Sequence, residues 1–183
     1  MKLNNLVVIG LLLGLSACEK KLPEYETSIC QLNFQYGLNV GLKTNEVTEE
    51  MRRISHSFIL NSDEGVEVDT VWVKVTTMGY LSKKDRLFEL EQVMENENDA
   101  VAGKHYVAFD DAEIRDFYRI PAGKADALVP IVVKRDPSLT VDGDVILKFT
   151  FKENSYFKLG YSEFSYCILT ISDRLTKPTM WTT

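Results

Sequence analysis

The stretch Val145-Ile146-Leu147-Lys148-Phe149-Thr150-Phe151-Lys152 decides the fold class of this chain. Large apolar side chains at its odd positions alternate with lysine and threonine at most of its even positions. A period of two is that of a β-strand with one buried face, because successive side chains of a strand point to opposite sides. Glu153-Asn154 predicts a turn after this strand, and Phe164 to Ile171 predicts the returning last strand.

The same period of two recurs upstream. It predicts four further strands, each with one alternating set of residues on one face: Cys30 to Tyr36, Ile54 to Leu60, Val71 to Val75 and Ala127 to Val133. Pro130 lies within the last of these. Because proline has no N–H for the interior of a sheet, this strand is predicted at a sheet edge or a bulge.

The remaining stretches are less regular. Leu87 to Met94 and Phe117 to Ile120 predict additional strands, Asp136 to Leu139 predicts a turn, and Glu46 to Arg53 is the one segment that could form a helix. About eight strands between turn signals, without a long helical pattern, predict an all-β fold, an antiparallel β-sandwich.

The amino terminus carries an export signal. Leu6 to Leu15 is an apolar run too short for a membrane-spanning helix, which needs about 20 residues, but typical of a secretory signal. Leu15-Ser16-Ala17-Cys18 resembles the lipobox of bacterial lipoproteins. A plain signal peptide cut after Ala17 is the alternative, although it would place bulky Leu15 where a small residue is preferred. The lipobox implies that Cys18 is the first mature residue and the site of lipid attachment, which stably anchors a protein when two or more chains are present.

These features divide the chain into four parts. Residues 1–17 are the lipoprotein signal peptide, residues 18–28 a lipidated tether, residues 29–172 the β-sandwich and residues 173–183 a carboxy-terminal tail. The tether is polar and contains Pro23, which predicts an extended segment reaching about 30 Å from the membrane.

Composition narrows the range of partners. The net charge is −6, and no run of adjacent cations is longer than a pair, which disfavours binding to nucleic acid. Besides Cys18, the chain has Cys30 and Cys167. In an oxidising compartment these two cysteines could form a disulfide, but two buried, inert thiols are the interpretation we prefer.

Five motifs together resemble a family of Bacteroides-type outer-membrane lipoproteins that carries a domain of unknown function: Asp69 to Gly79, Lys84 to Arg86, Ala100 to Tyr106, Ile120 to Lys124 and Val133 to Leu139. More distantly, Gly103, Tyr106 and Ile120 to Gly123 resemble the pattern of Calx-β domains. The resemblance implies an immunoglobulin-like β-sandwich, no established activity, and a place beside Sus-type outer-membrane nutrient-uptake systems. Relatives of this kind continue past the position of Trp181, so the tail is expected to be shorter here.

Catalytic and metal-binding patterns are weak. There is no Gly-x-Ser-x-Gly, and of the two histidines we expect His56 to pack against a strand face and His105 to make a structural hydrogen bond in a turn. Two isolated histidines do not make a zinc site. Calcium would need six to eight converging oxygens, so the loop acids Asp110-Asp111, Asp136 and Asp142 to Asp144 are interpreted first as turn residues. The sequence predicts no catalytic residue, no metal and no cofactor.

Exposed aromatic residues are the candidate ligand platform. Trp72 alternates with Val71 and Val73, so it lies on the outer sheet surface if the valines face the core. There it could stack on a sugar ring or dock a partner, or instead pack beneath a loop or the tail. Tyr156 and Tyr161 form a second candidate group at the last hairpin.

The sequence thus predicts a non-enzymatic binding or assembly module, anchored in the outer membrane through Cys18 and accessory to a glycan uptake system. The face of the membrane stays open. The partners would be the membrane itself and an uptake protein or a glycan. The alternatives are a glycan-active hydrolase, whose pair of carboxylates the sequence does not single out, and a purely structural cell-surface component.

Overall fold

A computed structural model describes residues 29–36, 47–60, 63 and 65–174. The signal peptide, Cys18, the tether and residues 175–183 of the tail lie outside the described residues. Ten strands were found: β1 (Cys30–Gln35), β2 (Arg53–Ser57), β3 (Val68–Met78), β4 (Arg86–Leu87), β5 (Glu89–Gln92), β6 (Arg119–Ile120), β7 (Asp126–Lys134), β8 (Val145–Lys152), β9 (Phe157–Leu159) and β10 (Tyr166–Ser172).

The strands form a β-sandwich. Sheet A has the order β7-β3-β1-β9, sheet B has the order β2-β10-β8-β5, and β4 pairs with β6 in a separate ribbon. Most neighbours are antiparallel, as predicted, but β1 pairs with β9 and β2 with β10 in parallel. These parallel pairs arise because the chain crosses from one sheet to the other between the paired strands.

Helical structure is confined to single turns within the described ranges. One α-helical turn, α1, spans Ser138–Val141, and three 3-10 turns span Glu50–Arg52, Arg115–Phe117 and Ser162–Phe164. None of these helices is long and apolar enough to cross a membrane.

Aromatic rings join the two sheets. Phe34 of β1 stacks on Phe151 of β8, with ring centroids 4.1 Å apart, and meets Phe149 edge-on at 5.4 Å. Phe149 also contacts Phe109, at 5.5 Å. All four rings are buried in one core, to which the predicted alternating residues of β1, β3, β7 and β8 contribute, together with Cys167, Leu169 and Ile171 of β10. The period of two therefore identified the inner faces of both sheets.

The two cysteines lie in this core as free thiols, Cys30 in sheet A and Cys167 in sheet B. Burial raises the pKa of Cys167 to about 12, which keeps it protonated. Cys30 accepts a hydrogen bond of 2.9 Å from the guanidinium of Arg86, a buried cation that also lies over the rings of Phe157 and Tyr80. The preferred interpretation, two buried thiols, is confirmed.

β7 forms an edge of sheet A, as Pro130 predicted. On the side away from β3, the Val107 N–H donates to the Val132 carbonyl at 2.9 Å, and the Tyr118 hydroxyl donates to the Pro130 carbonyl at 3.1 Å. Backbone groups of residues two apart face the same side of a strand. The N–H that Pro130 lacks would therefore face the edge, so the sheet loses no ladder hydrogen bond.

Two local predictions were wrong, and one strand was missed. The pattern from Ile54 to Leu60 does not continue as a strand, because β2 ends at Ser57 and Leu60 lies exposed in a turn. The turn predicted over residues 136–139 is confirmed, because the Leu139 N–H donates to the Asp136 carbonyl at 3.0 Å, and α1 begins within it at Ser138. The last strand starts at Tyr166 and not at residue 164, which belongs to a 3-10 turn. The short strand β9 was not predicted.

Candidate functional site

The outer face of sheet A presents Trp72 to solvent, as the alternation in β3 predicts. Val73 and Val75 are buried, whereas Trp72 is 56 % exposed. Among the residues that the structure describes, no loop covers Trp72; the other cover considered, the tail, lies outside the described residues from position 175 on. A large exposed indole on a flat sheet is uncommon, because aromatic side chains dominate the energetics of buried cores and of interfaces.

Strand pairing surrounds Trp72 with apolar side chains. Its partner in β7 is Pro130, and the next residues of β7 on the same face are Leu128 and Val132. Side chains that are directly opposite on an antiparallel pair lie about 5 Å apart, and diagonal ones about 7 Å. Leu128 is 62 % exposed, whereas Pro130 is buried. We call this set, Trp72, Leu128, Pro130 and Val132, the tryptophan platform.

Polar groups border the tryptophan platform. Lys74, two residues from Trp72 on the same face, forms an exposed ion pair of 3.1 Å with Asp126 of β7. Thr70 lies on the other side of Trp72 in β3 and is half-buried. A hydroxyl and an ammonium thus flank the indole along β3, and the Asp126 carboxylate lies beyond Lys74, opposite Thr76.

Tyr156 and Tyr161 do not belong to the tryptophan platform, although both are exposed. Tyr156 directly precedes β9, and the Tyr161 N–H donates to the Asn33 side chain at 3.1 Å, so both lie along the β9 edge of sheet A. Asn33 pairs with Thr76, four residues from Trp72 along β3, which corresponds to about 13 Å. The structure therefore separates the two predicted groups.

His105 has a structural role in the turn that follows Val101, between β5 and β6. Its Nδ1 accepts the Val101 N–H at 3.0 Å, which places the ring proton on Nε2. Nε2 then donates to the Ser138 hydroxyl at 3.0 Å, and that hydroxyl donates to the Asp136 carboxylate at 2.5 Å. Serine thus gives its proton to the acid and not to the histidine, which is the reverse of an activated nucleophile.

His56 is also buried. Its Nε2 lies 3.6 Å from the Asp69 carboxylate, and its ring meets Phe58 edge-on at 4.9 Å. Burial lowers its pKa, and the neighbouring Asp69 charge raises it in part. Packing of this ring against the core agrees with the expectation from its strand pattern.

Protonation of the two histidines is expected to destabilise the fold. Burial, and then the Lys104 charge, lower the pKa of His105, while Asp136 opposes the shift. The unfolded chain therefore binds more protons than the folded chain below pH about 6.5, and stability is lost as the pH falls through that value toward the folded pKa. Urea unfolding between pH 7.5 and 5.5 measures how the free energy of unfolding depends on pH. The slope of that dependence should correspond to an uptake of up to about two protons on unfolding.

The variant His105→Asn tests this assignment, because its side-chain oxygen can accept the Val101 N–H without titrating. The slope is expected to fall by up to about one proton, leaving the contribution of His56. An unchanged slope in His105→Asn would contradict a buried, neutral His105.

The loop acids do not converge. Asp136 contacts Ser138 and Lys104, Asp144 pairs with Arg174 at 2.9 Å, and the Asp111 carboxylate accepts the Glu113 N–H. Within the described ranges, no group of three or more histidine, cysteine or acidic residues is close enough to hold a metal ion.

One protein family matches most of the chain. The family described as a domain of unknown function, DUF4843, matches residues 40–183. No curated protein matches the chain.

Three solved structures are similar in part. CBD12 from CALX1.2 is 15% identical, with a TM-score of 0.46 over 78% of this chain and 44% of that chain. A candidate carbohydrate binding protein from Bacteroides ovatus ATCC 8483 is 12% identical, with a TM-score of 0.46 over 79% and 37%. A two domain protein with unknown function from Bacteroides fragilis NCTC 9343 is 9% identical, with a TM-score of 0.45 over 95% and 51%. The chain thus spans about half the length of these proteins or less.

Proposed function

The chain belongs to the family described as a domain of unknown function, DUF4843, and from that premise we propose that it is a non-enzymatic, lipid-anchored saccharide-binding module. In this proposal Cys18 carries the lipid and the tether extends from the outer membrane. The β-sandwich presents the tryptophan platform to glycans as an accessory to an outer-membrane uptake system.

The exposure of Trp72 carries the proposal. The C–H face of a pyranose ring is apolar and flat, and it gains dispersion energy by stacking on an aromatic face. Its hydroxyls need hydrogen-bond partners at the rim, and in this proposal Thr70 and Lys74, which flank Trp72 along β3, would provide them. A flat sheet face accommodates an extended polysaccharide better than a deep pocket does, because it does not limit chain length.

Trp72→Ala is expected to weaken saccharide binding at least tenfold, since stacking on the indole would be lost. Affinity electrophoresis in gels that contain starch, xylan, mannan or pectin measures this on intact protein. Because Trp72 is on the surface, the free energy of unfolding should change by no more than about 0.5 kcal/mol. Trp72→Tyr should retain most of the binding, and Tyr156→Ala all of it. Equal retardation of the wild type and Trp72→Ala by every retarding polysaccharide would exclude the platform.

Cys18→Ala is expected to release the protein from the membrane. Lipid chains contribute about 0.8 kcal/mol for each buried methylene, so their loss leaves no comparable anchor. Metabolic labelling with an alkynyl palmitate analogue, followed by membrane fractionation, should show label and pelleting for the wild type and neither for Cys18→Ala. Membrane retention of Cys18→Ala without label would contradict lipid attachment at this residue.

Leu128 favours a second candidate function, the docking of a neighbouring protein. An exposed aliphatic side chain beside Trp72 contributes to protein–protein contacts but makes no hydrogen bond to a sugar. Leu128→Asn separates the two candidates. It should leave saccharide binding within about twofold of the wild type, and should weaken a protein contact by tenfold or more if the face docks a protein.

A further inference from the structure

β5 forms one of the two edges of sheet B, and β2 forms the other. The Val93 N–H donates to the Lys148 carbonyl of β8 at 2.8 Å, whereas the Phe88 N–H donates away from β8, to the Tyr118 carbonyl at 2.9 Å. Backbone groups alternate sides along a strand. Leu90 and Gln92 therefore direct their N–H and C=O groups away from β8, as Phe88 does.

The chain covers this edge at its beginning and then leaves it. β6 pairs with β4 through Leu87 and Arg119, and the Phe88–Tyr118 hydrogen bond continues that register by one residue. Beyond this point the neighbouring segment turns into the 3-10 helix Arg115–Phe117. No strand among the described residues therefore pairs with Leu90 on this side.

A cavity of about 480 Å³ opens where the two segments diverge. Its floor is apolar and consists of Phe88, Leu90, Phe109 and Tyr118, all of them buried. The Tyr118 hydroxyl already donates its hydrogen bond to the Pro130 carbonyl. A ligand would therefore meet this floor through apolar contacts and not through a hydrogen bond. We call this cavity the edge groove.

The rim of the edge groove is acidic. It carries three carboxylates, those of Glu89, Asp110 and Asp116, and one guanidinium, that of Arg115. Arg115 lies 3.8 Å from Asp116, and Glu89 pairs with Lys152 at 3.1 Å. Asp110 has no ion pair within 4.0 Å among the residues that the structure describes. The position without a counter-charge is therefore beside Asp110.

We propose that the edge groove binds an extended peptide segment of another protein, which adds to sheet B as a strand along β5. The backbone of the segment would pair with the outward N–H and C=O groups of Leu90 and Gln92. One apolar side chain would cover the aromatic floor, and a lysine or arginine would lie beside Asp110. Main-chain pairing supplies affinity in this mode of recognition, and side-chain contacts supply selectivity.

Charge distinguishes this occupant from a second copy of the chain. Antiparallel pairing of two β5 edges would bring Glu89 and Glu91 of both copies together, and like charges opposite each other destabilise a strand pair. A basic segment meets the same carboxylates with the opposite sign.

The test uses four labelled hexapeptides with the folded, ¹⁵N-labelled protein. The first is Lys-Val-Lys-Val-Lys-Val, and the second is its Glu-Val counterpart. The other two are Lys-Val peptides in which every second amide is N-methylated, one for each of the two alternating sets of amides. Fluorescence anisotropy should show at least tenfold weaker binding of the Glu-Val peptide, and of one of the two N-methylated peptides. On binding, hydrogen exchange of the Leu90 and Gln92 amides should slow at least tenfold.

Matched variants locate the contact. Asp110→Asn is expected to weaken binding of the Lys-Val peptide about fivefold, whereas Asp142→Asn, an exposed acid on the loop before β8, should have no effect. Trp72→Ala should also have no effect, so this test can fail or succeed independently of saccharide binding. Three results would overturn the proposal. They are the absence of binding at 1 mM peptide, equal binding of all the peptides, and slowed hydrogen exchange of the Leu90 amide that depends on protein concentration and not on peptide.

Discussion

Phe149→Ala is expected to lower the free energy of unfolding by about 4 kcal/mol, far more than any truncation on the exposed face of sheet A. Phe149 is fully buried in β8 and contacts Phe34 of the opposite sheet as well as Phe109. Its removal leaves a cavity between the sheets, and the aromatic neighbours can collapse only partly into it because they are held from both sides. Urea unfolding followed by circular dichroism measures the change.

Phe149→Leu is the graded control, because it keeps an apolar side chain and should cost less than half as much. Leu128→Ala shortens an aliphatic side chain on the exposed face and should cost no more than about 0.5 kcal/mol. A loss at Phe149→Ala as small as that at Leu128→Ala would show that the two sheets do not pack through these rings.

Gly160→Ala is expected to destabilise the fold by about 3 kcal/mol through a clash at one site. A Cβ at Gly160 would lie 1.9 Å from the Asn33 side-chain oxygen, which accepts the Tyr161 N–H. Asn33 is only 5 % exposed and cannot swing freely into solvent. The added methyl must therefore displace the amide or move the chain that follows β9 away from β1.

A double-mutant cycle isolates this clash. Asn33→Ala removes the amide that the new methyl would meet, so Gly160→Ala should cost at least about 1 kcal/mol less in the Asn33→Ala background than in the wild type. Additive losses would mean that the two residues are not in contact. The comparison is made by urea unfolding of the four proteins.

The alternation of apolar and polar residues predicted most of the architecture, because a local sequence pattern determines which face of a strand packs into the core. The residues of β8 specify which face is buried before any partner strand is known, and the same holds for β1, β3 and β7. β9 escaped prediction because its three residues are too few for a period to be visible. Its position depends instead on parallel pairing with β1, more than a hundred residues away in sequence.

The candidate sites show the same division. The outward direction of Trp72 follows from its neighbours in β3, so it could be predicted. The apolar neighbours of Trp72 come from its pairing with β7, and the alternation of residues within β3 does not predict which strand pairs with it. The edge groove combines Leu90 and Phe109 with Asn154, residues distant in sequence, and no local pattern marks it. The buried Arg86 was likewise invisible, because a cation held by a thiol and two aromatic rings leaves no periodic signal.

Fluorescence of Trp72 tests the central claim most directly. The chain has two tryptophans, so in Trp181→Phe the indole emission comes from Trp72 alone. Saccharide binding on the tryptophan platform predicts that a polysaccharide that retards the wild type shifts this emission to shorter wavelength and protects it from iodide quenching. It also predicts that the shift saturates at the affinity measured by electrophoresis. Unchanged emission and unchanged quenching at saturating polysaccharide would contradict the claim.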